Sequence, residues 1–189
     1  ISFFVQADRT GSLNFATSSR EQVAKVMRAP VVDYNEVVLN FDVAGKSDRT
    51  TIILDKERNT SYEIGQDLLK WKGKWGKTPY LYSFDNANNP LAFNAINYDE
   101  AKGSVPVAFY MPTSYARYTF SIDRSASKLQ NIEHVYLLRN GSIIADLLTT
   151  NYTATDLKLK AENKEFAISI QRAAEVVTPV NPTEDLSLI

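Results

Sequence analysis

The chain is dominated by segments in which apolar and polar residues alternate. The clearest is residues 116–123, where Tyr118, Phe120 and Ile122 alternate with hydroxyl-bearing or charged residues. Because successive side chains of a β-strand point to opposite faces, this pattern predicts a strand with one buried and one solvent-facing side. Residues 37–43, 105–111 and 166–171 show the same alternation.

Shorter apolar runs predict further strands at residues 2–6, 12–16, 50–55, 80–84, 91–97, 134–138, 143–147 and 152–154. Asn140 and Gly141 stand between two of these runs, and both tolerate the positive φ of a type I′ hairpin turn. Pro106 suggests an edge position for its strand, because proline has no N–H to donate. About a dozen short strands separated by turns predict an all-β domain, specifically an antiparallel, jelly-roll-like β-sandwich.

Two segments interrupt the alternation and predict one or two short helical turns. Residues 19–28 place apolar side chains at helical spacing, although a loop between strands is an equal alternative. Residues 65–72, which include Leu68 and Leu69, fit one or two turns that need tertiary packing to be stable.

The ends of the sequence predict that this domain belongs to a longer polypeptide. The chain begins on Ile1 within a predicted strand and ends on an apolar run at residues 185–189. Residues 173–189 contain two prolines and no alternation, which is typical of an extended linker. We therefore expect a domain of residues 1–172 followed by a linker of residues 173–189.

Composition excludes several classes of function. The 189 residues include 21 Lys and Arg and 22 Asp and Glu, so the basic face that a nucleic-acid partner requires is not expected. No stretch of 18 apolar residues is present, so this part of the chain has no predicted transmembrane segment. The absence of cysteine excludes disulfides and thiol chemistry, and His134, the single histidine, argues against a histidine zinc site.

The order of several short motifs carries a resemblance to a known family. They include Ser2-Phe-Phe-Val-Gln6, Tyr62-Glu-Ile-Gly-Gln-Asp67 and Pro79-Tyr-Leu-Tyr-Ser83, and the remaining pieces are residues 11–15, 38–41, 48–53, 69–70, 93–96, 105–107, 118–120, 135–137, 146–147 and 151–153. In this order they resemble a module near the C-terminal end of large secreted and surface proteins of Bacteroidetes. The match covers residues 1–172, and Glu63 stands where such modules often carry Asp.

That resemblance implies a β-sandwich, export across the inner membrane, and display at or release from the cell surface. It implies that the linker leads to a sorting or anchoring segment, which begins within residues 182–189. The family brings no catalytic residues to this chain, and its role is described as structural, adhesive or unknown.

The sequence offers little for catalysis, and we predict a domain that is not an enzyme and holds no cofactor. Its carboxylates fall mostly in turns or on solvent-facing sides of strands: Asp55, Glu57, Asp67, Asp85, Asp99, Glu100 and Asp123. A sandwich-fold hydrolase, with two carboxyls ~5–10 Å apart in a cleft, is the unfavoured alternative. His134 beside Glu133 is interpreted as a half-exposed strand histidine rather than an oriented base.

Residues 85–89, Asp-Asn-Ala-Asn-Asn, present several oxygen atoms on one turn. Calcium binds six to eight oxygens, but this run lacks the glycine and closing glutamate of an EF-hand loop. Asx side chains also form such turns without metal, by bonding their own backbone. We favour the turn without metal.

A ligand site, if there is one, is expected in residues 70–80, which hold both tryptophans, four lysines and two glycines. The candidate binding residues are Trp71, Trp75, Tyr80, Lys72 and Lys74. Exposed tryptophans flanked by donors stack on sugars or take part in protein contacts. The alternative, which we favour, is that a tryptophan plugs the open end of the sandwich while the lysines are solvated. Tyr110, Tyr115 and Tyr136 would extend an aromatic surface, whereas Tyr118 is expected in the core.

The predicted function is therefore a non-catalytic structural or adhesive module of an extracellular or cell-surface bacterial protein. Its expected partners are neighbouring domains of the same polypeptide and a glycan or surface protein. The main alternative is a carbohydrate-binding accessory module that uses Trp71 and Trp75.

Overall fold

The structure, a computed structural model, describes residue 10 and residues 34–71, 78–97, 103–111, 117–155 and 162–173. Within these ranges the protein is all-β, as predicted, with eleven strands and no helix. The strands are β1 (Asn35–Val43), β2 (Lys46–Leu54), β3 (Leu68–Leu69), β4 (Tyr80–Phe84), β5 (Pro90–Ile96), β6 (Val105–Tyr110), β7 (Tyr118–Ile122), β8 (Ile132–Arg139), β9 (Ser142–Asp146), β10 (Tyr152–Ala154) and β11 (Glu162–Arg172). The described part of the chain contains no helix of the length and apolarity needed to cross a membrane.

The predicted strands at residues 2–6 and 12–16 and the predicted helical segment at residues 19–28 lie outside the described residues. So does the predicted linker, apart from Ala173.

The described strands form one mixed sheet in the order β10-β7-β1-β2-β5-β4-β6-β11-β8-β9, and β3 pairs with β5 beside this path. The sheet is not purely antiparallel as predicted, because β2 and β5 run parallel, with Thr51 opposite Phe93. A parallel pair needs a crossover connection of about a dozen residues or more. The long stretch between β2 and β5, which contains β3 and β4, supplies it.

Aromatic contacts show that the sheet coils back on itself. The rings of Phe41 in β1 and Phe109 in β6 lie 4.4 Å apart, although β2, β5 and β4 separate these strands in the sheet. Four strand spacings of a flat sheet would separate them by ~19 Å. Phe120 of β7 and Phe166 of β11 also touch, with ring centroids 5.4 Å apart. The β7–β1 part of the sheet therefore faces the β6–β11 part across an aromatic core.

The alternating segments became strands whose apolar sides form this core. In β7, Tyr118, Phe120 and Ile122 are buried while the residues between them are partly exposed, which confirms the prediction for that segment. The β8–β9 hairpin is also confirmed: Asn140 and Gly141 have φ values of 51° and 81°. Both lie in the left-handed region that a type I′ turn requires.

The predicted helical turn at residues 65–72 is wrong for its described part, residues 65–71. Gly65 has a φ of +91°, which interrupts a right-handed helix, and Leu68 and Leu69 form β3 instead. Leu68 lies opposite Phe93 and Leu69 opposite Leu91, so pairing with β5 replaces the local hydrogen bonds of a helix. A helix of this length is not stable without tertiary packing, so pairing with β5 is favoured over helix formation.

Pro106 does not mark an edge strand, because β6 lies between β4 and β11. The pairing with β4 ends at Val107, opposite Ser83. At Pro106 only Ala167 of β11 is paired with β6. The missing N–H of Pro106 therefore falls where β6 has a strand on one side only.

Candidate functional site

One carboxylate, that of Asp48, contacts both ends of the segment that contains the candidate ligand residues. Asp48 Oδ2 lies 2.6 Å from Lys70 Nζ at the start of the segment. The same oxygen accepts a hydrogen bond of 2.7 Å from the backbone N–H of Leu81 at its end. Lys70 also donates to the backbone oxygen of Arg49. Asp48 therefore holds the two ends of residues 70–81 together. Lys70 has a structural role in this contact.

Trp71, the first candidate residue after Lys70, is 73% exposed. The interpretation in which Trp71 plugs the core is therefore wrong for this residue. Tyr80 lies at the other end of the segment, where its ring stacks on Tyr110 with centroids 5.7 Å apart. The remaining candidates, Lys72, Lys74 and Trp75, lie outside the described residues, as does Tyr115.

Trp71 belongs to a run of exposed hydrophobic side chains that the sequence did not predict. This apolar patch consists of Ile64, Leu68, Leu69, Trp71 and Phe93, which are exposed by 52%, 37%, 42%, 73% and 40%. Four of its members lie within residues 64–71, and the fifth, Phe93, is the register partner of Leu68. Large apolar side chains grouped in this way commonly mark an interaction surface.

A shallow groove of about 430 Å³ is lined by three members of the patch, Ile64, Leu68 and Phe93, together with Gly65, Gln66 and Asp67. We call it the Phe93 groove. Its polar lining residues are Asp67 and Gln66, and Gln66 Oε1 is buried without a partner in the described part of the chain.

The groove is held in shape by Asp67. Its Oδ1 accepts a 2.7 Å hydrogen bond from the Ala95 N–H of β5, and its Oδ2 accepts a 2.8 Å bond from the Glu63 N–H. Burial raises the pKa of Asp67, these two hydrogen bonds oppose the rise, and repulsion by Asp85 and Glu63 adds to it. The net direction is upward, chiefly because burial disfavours the charged carboxylate.

Asp85 organises the predicted Asx-rich turn by accepting four hydrogen bonds. Oδ1 accepts from the N–H groups of Ala87 and Asn89, and Oδ2 accepts from the Tyr62 N–H and the Asn89 side chain. Burial favours a raised pKa for Asp85, but the hydrogen bonds outweigh burial and lower it. This arrangement is that of an Asx turn whose carboxylate already has its partners.

His134 lies in β8 with its side chain 39% exposed, and its partner is not the neighbouring Glu133. Its Nδ1 is 2.8 Å from Asp146 Oδ2 in β9, and its ring stacks on Tyr136 at 4.9 Å. Burial acts to raise the pKa of Asp146, while the hydrogen bond from His134 and two backbone N–H groups lower it overall. The pair fastens β8 to β9 on a surface without a described cavity.

No group of three metal-binding side chains occurs within the described ranges. Two smaller cavities, of about 40 and 140 Å³, have no carboxylate among the residues described as lining them. Asp67 is thus the one carboxylate that lines a described cavity, whereas a two-carboxylate hydrolase needs a facing pair.

Comparisons of the chain with protein-family models, with curated proteins and with solved structures find no match.

Proposed function

We propose that this domain is a non-catalytic interaction module, structural or adhesive in role, that binds a partner through the apolar patch. The observation that carries the proposal is the joint exposure of five large hydrophobic side chains within one short segment and its strand partner. Water contact with these side chains is unfavourable by ~25 cal/mol per Å², and a partner that covers them recovers that free energy.

The chain beneath the patch is held in place, which supports a role in binding a partner more than a role as a flexible spacer between domains. Asp67 fixes the turn beneath Ile64 and Leu68 by bonding Glu63 and Ala95, and Asp48 fixes the chain beside Trp71 through Lys70. A surface that is already ordered loses less conformational entropy when its partner binds.

The setting we propose is a larger secreted or cell-surface protein of a bacterium, with neighbouring domains of the same polypeptide as further partners. The order of the motifs along residues 1–172 supports this setting. We also propose that the coiled sheet is a two-layered sandwich, and the Phe41–Phe109 contact between distant strands supports that finer assignment.

Site-specific photocrosslinking tests the proposed function. A photoreactive phenylalanine is introduced at position 71 or 93 of the full natural polypeptide, in the cells that produce it. Position 143 is the matched control, because Ile143 is 60% exposed but lies in β9, away from the patch. We expect one discrete crosslinked partner from positions 71 and 93 and none from position 143. Equal crosslinking at all three positions, or none at 71 and 93, would refute the proposal.

A carbohydrate-binding accessory module is the second candidate, and the 73% exposure of Trp71 favours it. Sugar sites combine such an aromatic platform with nearby hydrogen-bonding groups. Here Lys70 is paired with Asp48, and the other four side chains of the patch are aliphatic or phenyl groups. A glycan array probed with the wild type and Trp71→Ala separates the candidates: glycan binding lost in the variant favours this one.

A further inference from the structure

Resting on the proposed function, we infer that the Phe93 groove binds an arginine or lysine side chain from an extended, otherwise apolar peptide segment of the partner. The inference concerns the chemistry of the partner and follows from the shape of the groove and from the charge around it.

The walls of the groove fit an aliphatic stem. Ile64, Leu68 and Phe93 present hydrocarbon surface, with Phe93 and Ile64 about half exposed at the rim. The volume of about 430 Å³ lies in the range of ~300–1,000 Å³ typical of sites for small ligands. Arginine and lysine place such stems against apolar surface and carry their charge beyond it.

The acceptor atoms of Asp67 and Gln66 favour a ligand that donates hydrogen bonds. Asp67 accepts one bond at each carboxylate oxygen and keeps further acceptor capacity, and Gln66 Oε1 is buried without a described partner. A guanidinium has five N–H donors and no acceptor, and an ammonium has three donors. Both groups complement the Asp67 carboxylate and Gln66 Oε1.

The charge around the groove also selects a cation. Glu63 stands at the start of the turn that forms the groove, and its repulsion of Asp67, together with that of Asp85, contributes to the raised pKa of Asp67. Two cations of the same stretch of chain bind other carboxylates, since Arg58 pairs with Asp55 and Lys70 with Asp48. A basic ligand would supply the countercharge.

The flank of the groove favours an extended peptide over a free amine. The two residues of β3 pair with β5 on one side, and within the described residues no strand pairs with their other side. An edge strand binds an extended segment through backbone hydrogen bonds, and side-chain pockets then provide selectivity. The exposed Leu68 and Leu69 offer contacts for apolar residues next to the basic one.

A peptide series tests this inference on the folded domain. The probe is a fluorescein-labelled heptapeptide that alternates leucine with arginine, and binding is measured by fluorescence anisotropy. A citrulline version keeps the shape of arginine without its charge, and a glutamate version reverses the charge. We expect the citrulline peptide to bind about tenfold more weakly than the arginine peptide, and the glutamate peptide to bind more weakly still.

Variants of the domain locate the binding. Phe93→Ala is expected to weaken binding of the arginine peptide about tenfold, because it removes the apolar wall. Glu63→Gln, a change at an exposed residue, is expected to weaken it about two- to fivefold. The controls Ile143→Ala and Glu133→Gln, which change an exposed apolar and an exposed acidic residue elsewhere, should leave binding unchanged.

Equal binding of the arginine and citrulline peptides would overturn the inference. If Phe93→Ala still weakened both peptides, the apolar patch would retain its proposed function while the choice of a basic partner would be wrong. Arginine-peptide binding that survives Phe93→Ala and Glu63→Gln, or no binding of any peptide, would also overturn it. The crosslinking experiment at positions 71 and 93 judges the proposed function separately.

Discussion

Replacing Asp85 by alanine removes one carboxylate that holds two separate pieces of chain together. The side chain is 6% exposed and accepts hydrogen bonds from the N–H groups of Tyr62, Ala87 and Asn89 and from the Asn89 side chain. Ala87 is exposed and the Asn89 amide can turn toward water, whereas the backbone N–H groups of Tyr62 and Asn89 are partly buried.

The expected loss of stability follows from those two donors. A buried N–H that loses its acceptor destabilises a protein by ~1–3 kcal/mol, and partial access to water places these donors in the lower half of that range. We therefore expect Asp85→Ala to lower the free energy of unfolding by about 2–4 kcal/mol. Asp85→Asn should lose about half as much, because its amide oxygen replaces one carboxylate oxygen while its NH₂ faces a donor.

The same carboxylate gives the loss a pH dependence. Its hydrogen bonds lower the pKa of Asp85 in the folded protein below the ordinary value of 3.8, despite burial. The stabilisation is thus present above the unfolded pKa and disappears as the pH falls through the folded pKa. The difference between wild type and Asp85→Ala should be constant from about pH 5 to 7 and shrink below about pH 4.

Urea unfolding monitored by circular dichroism, repeated at several pH values, measures both quantities. Asp123→Ala is the control, because Asp123 forms a similar turn with Ser125 and Ala126 on the surface, and its loss should be smaller. A loss below about 0.5 kcal/mol for Asp85→Ala, or one that does not change between pH 2 and 7, would show that water replaces the carboxylate and would refute the reasoning.

Three further predictions concern the coiled sheet, the contact of Asp48 with both ends of residues 70–81, and the β8–β9 turn. Phe41→Leu and Phe109→Leu should show a coupling free energy of about 0.5–1.5 kcal/mol in a double-mutant cycle of unfolding, and strictly additive losses would contradict the coiled sheet. Asp48→Ala should accelerate hydrogen exchange of the Leu81 amide about tenfold, because the amide loses its hydrogen-bond acceptor. Asp42→Ala, at an exposed residue, is the control, and unchanged exchange in Asp48→Ala would exclude this role for Asp48. Gly141→Ala should lower the free energy of unfolding by about 1 kcal/mol, because the φ of Gly141 is +81°. Gly103→Ala should have no effect, because the φ of Gly103 is not in the left-handed region. Equal shifts of the melting temperature in the two variants would argue against the type I′ turn.

The strands themselves could be predicted from the sequence because their signals are local. The alternation of Tyr118, Phe120 and Ile122 states which side is buried without reference to any other strand. Asn140 and Gly141 likewise specify their turn by their own backbone preferences. The β1–β2 turn has the same backbone signature, with positive φ at Ala44 and Gly45 directly before β2 begins at Lys46.

The pairing of strands and the site could not be predicted, because both depend on contacts distant in sequence. Leu68 and Leu69 fit a helical turn until β5 is available to pair with them. Nothing local indicates that Asp48 binds both Lys70 and Leu81, which lie 22 and 33 residues later in the chain. Phe93 occupies a segment that reads as a normal strand, and its exposure depends on how far β3 covers β5.

Buried carboxylates and exposed hydrocarbons belong to one arrangement in this molecule. Asp55 bonds the Glu57 N–H and Arg58 where the chain leaves β2, and Asp85 and Asp67 hold it again before β3. Such polar burial is unfavourable unless every carboxylate finds donors, and hydrophobic residues would cover the sheet with fewer constraints. The carboxylates fix the path of the chain between β2 and β3, where residues 56–66 are exposed or half-buried. Because that path presents Ile64, Leu68 and Trp71 outward, the stability of the turn and the readiness of the apolar patch to bind should change together when these aspartates are replaced.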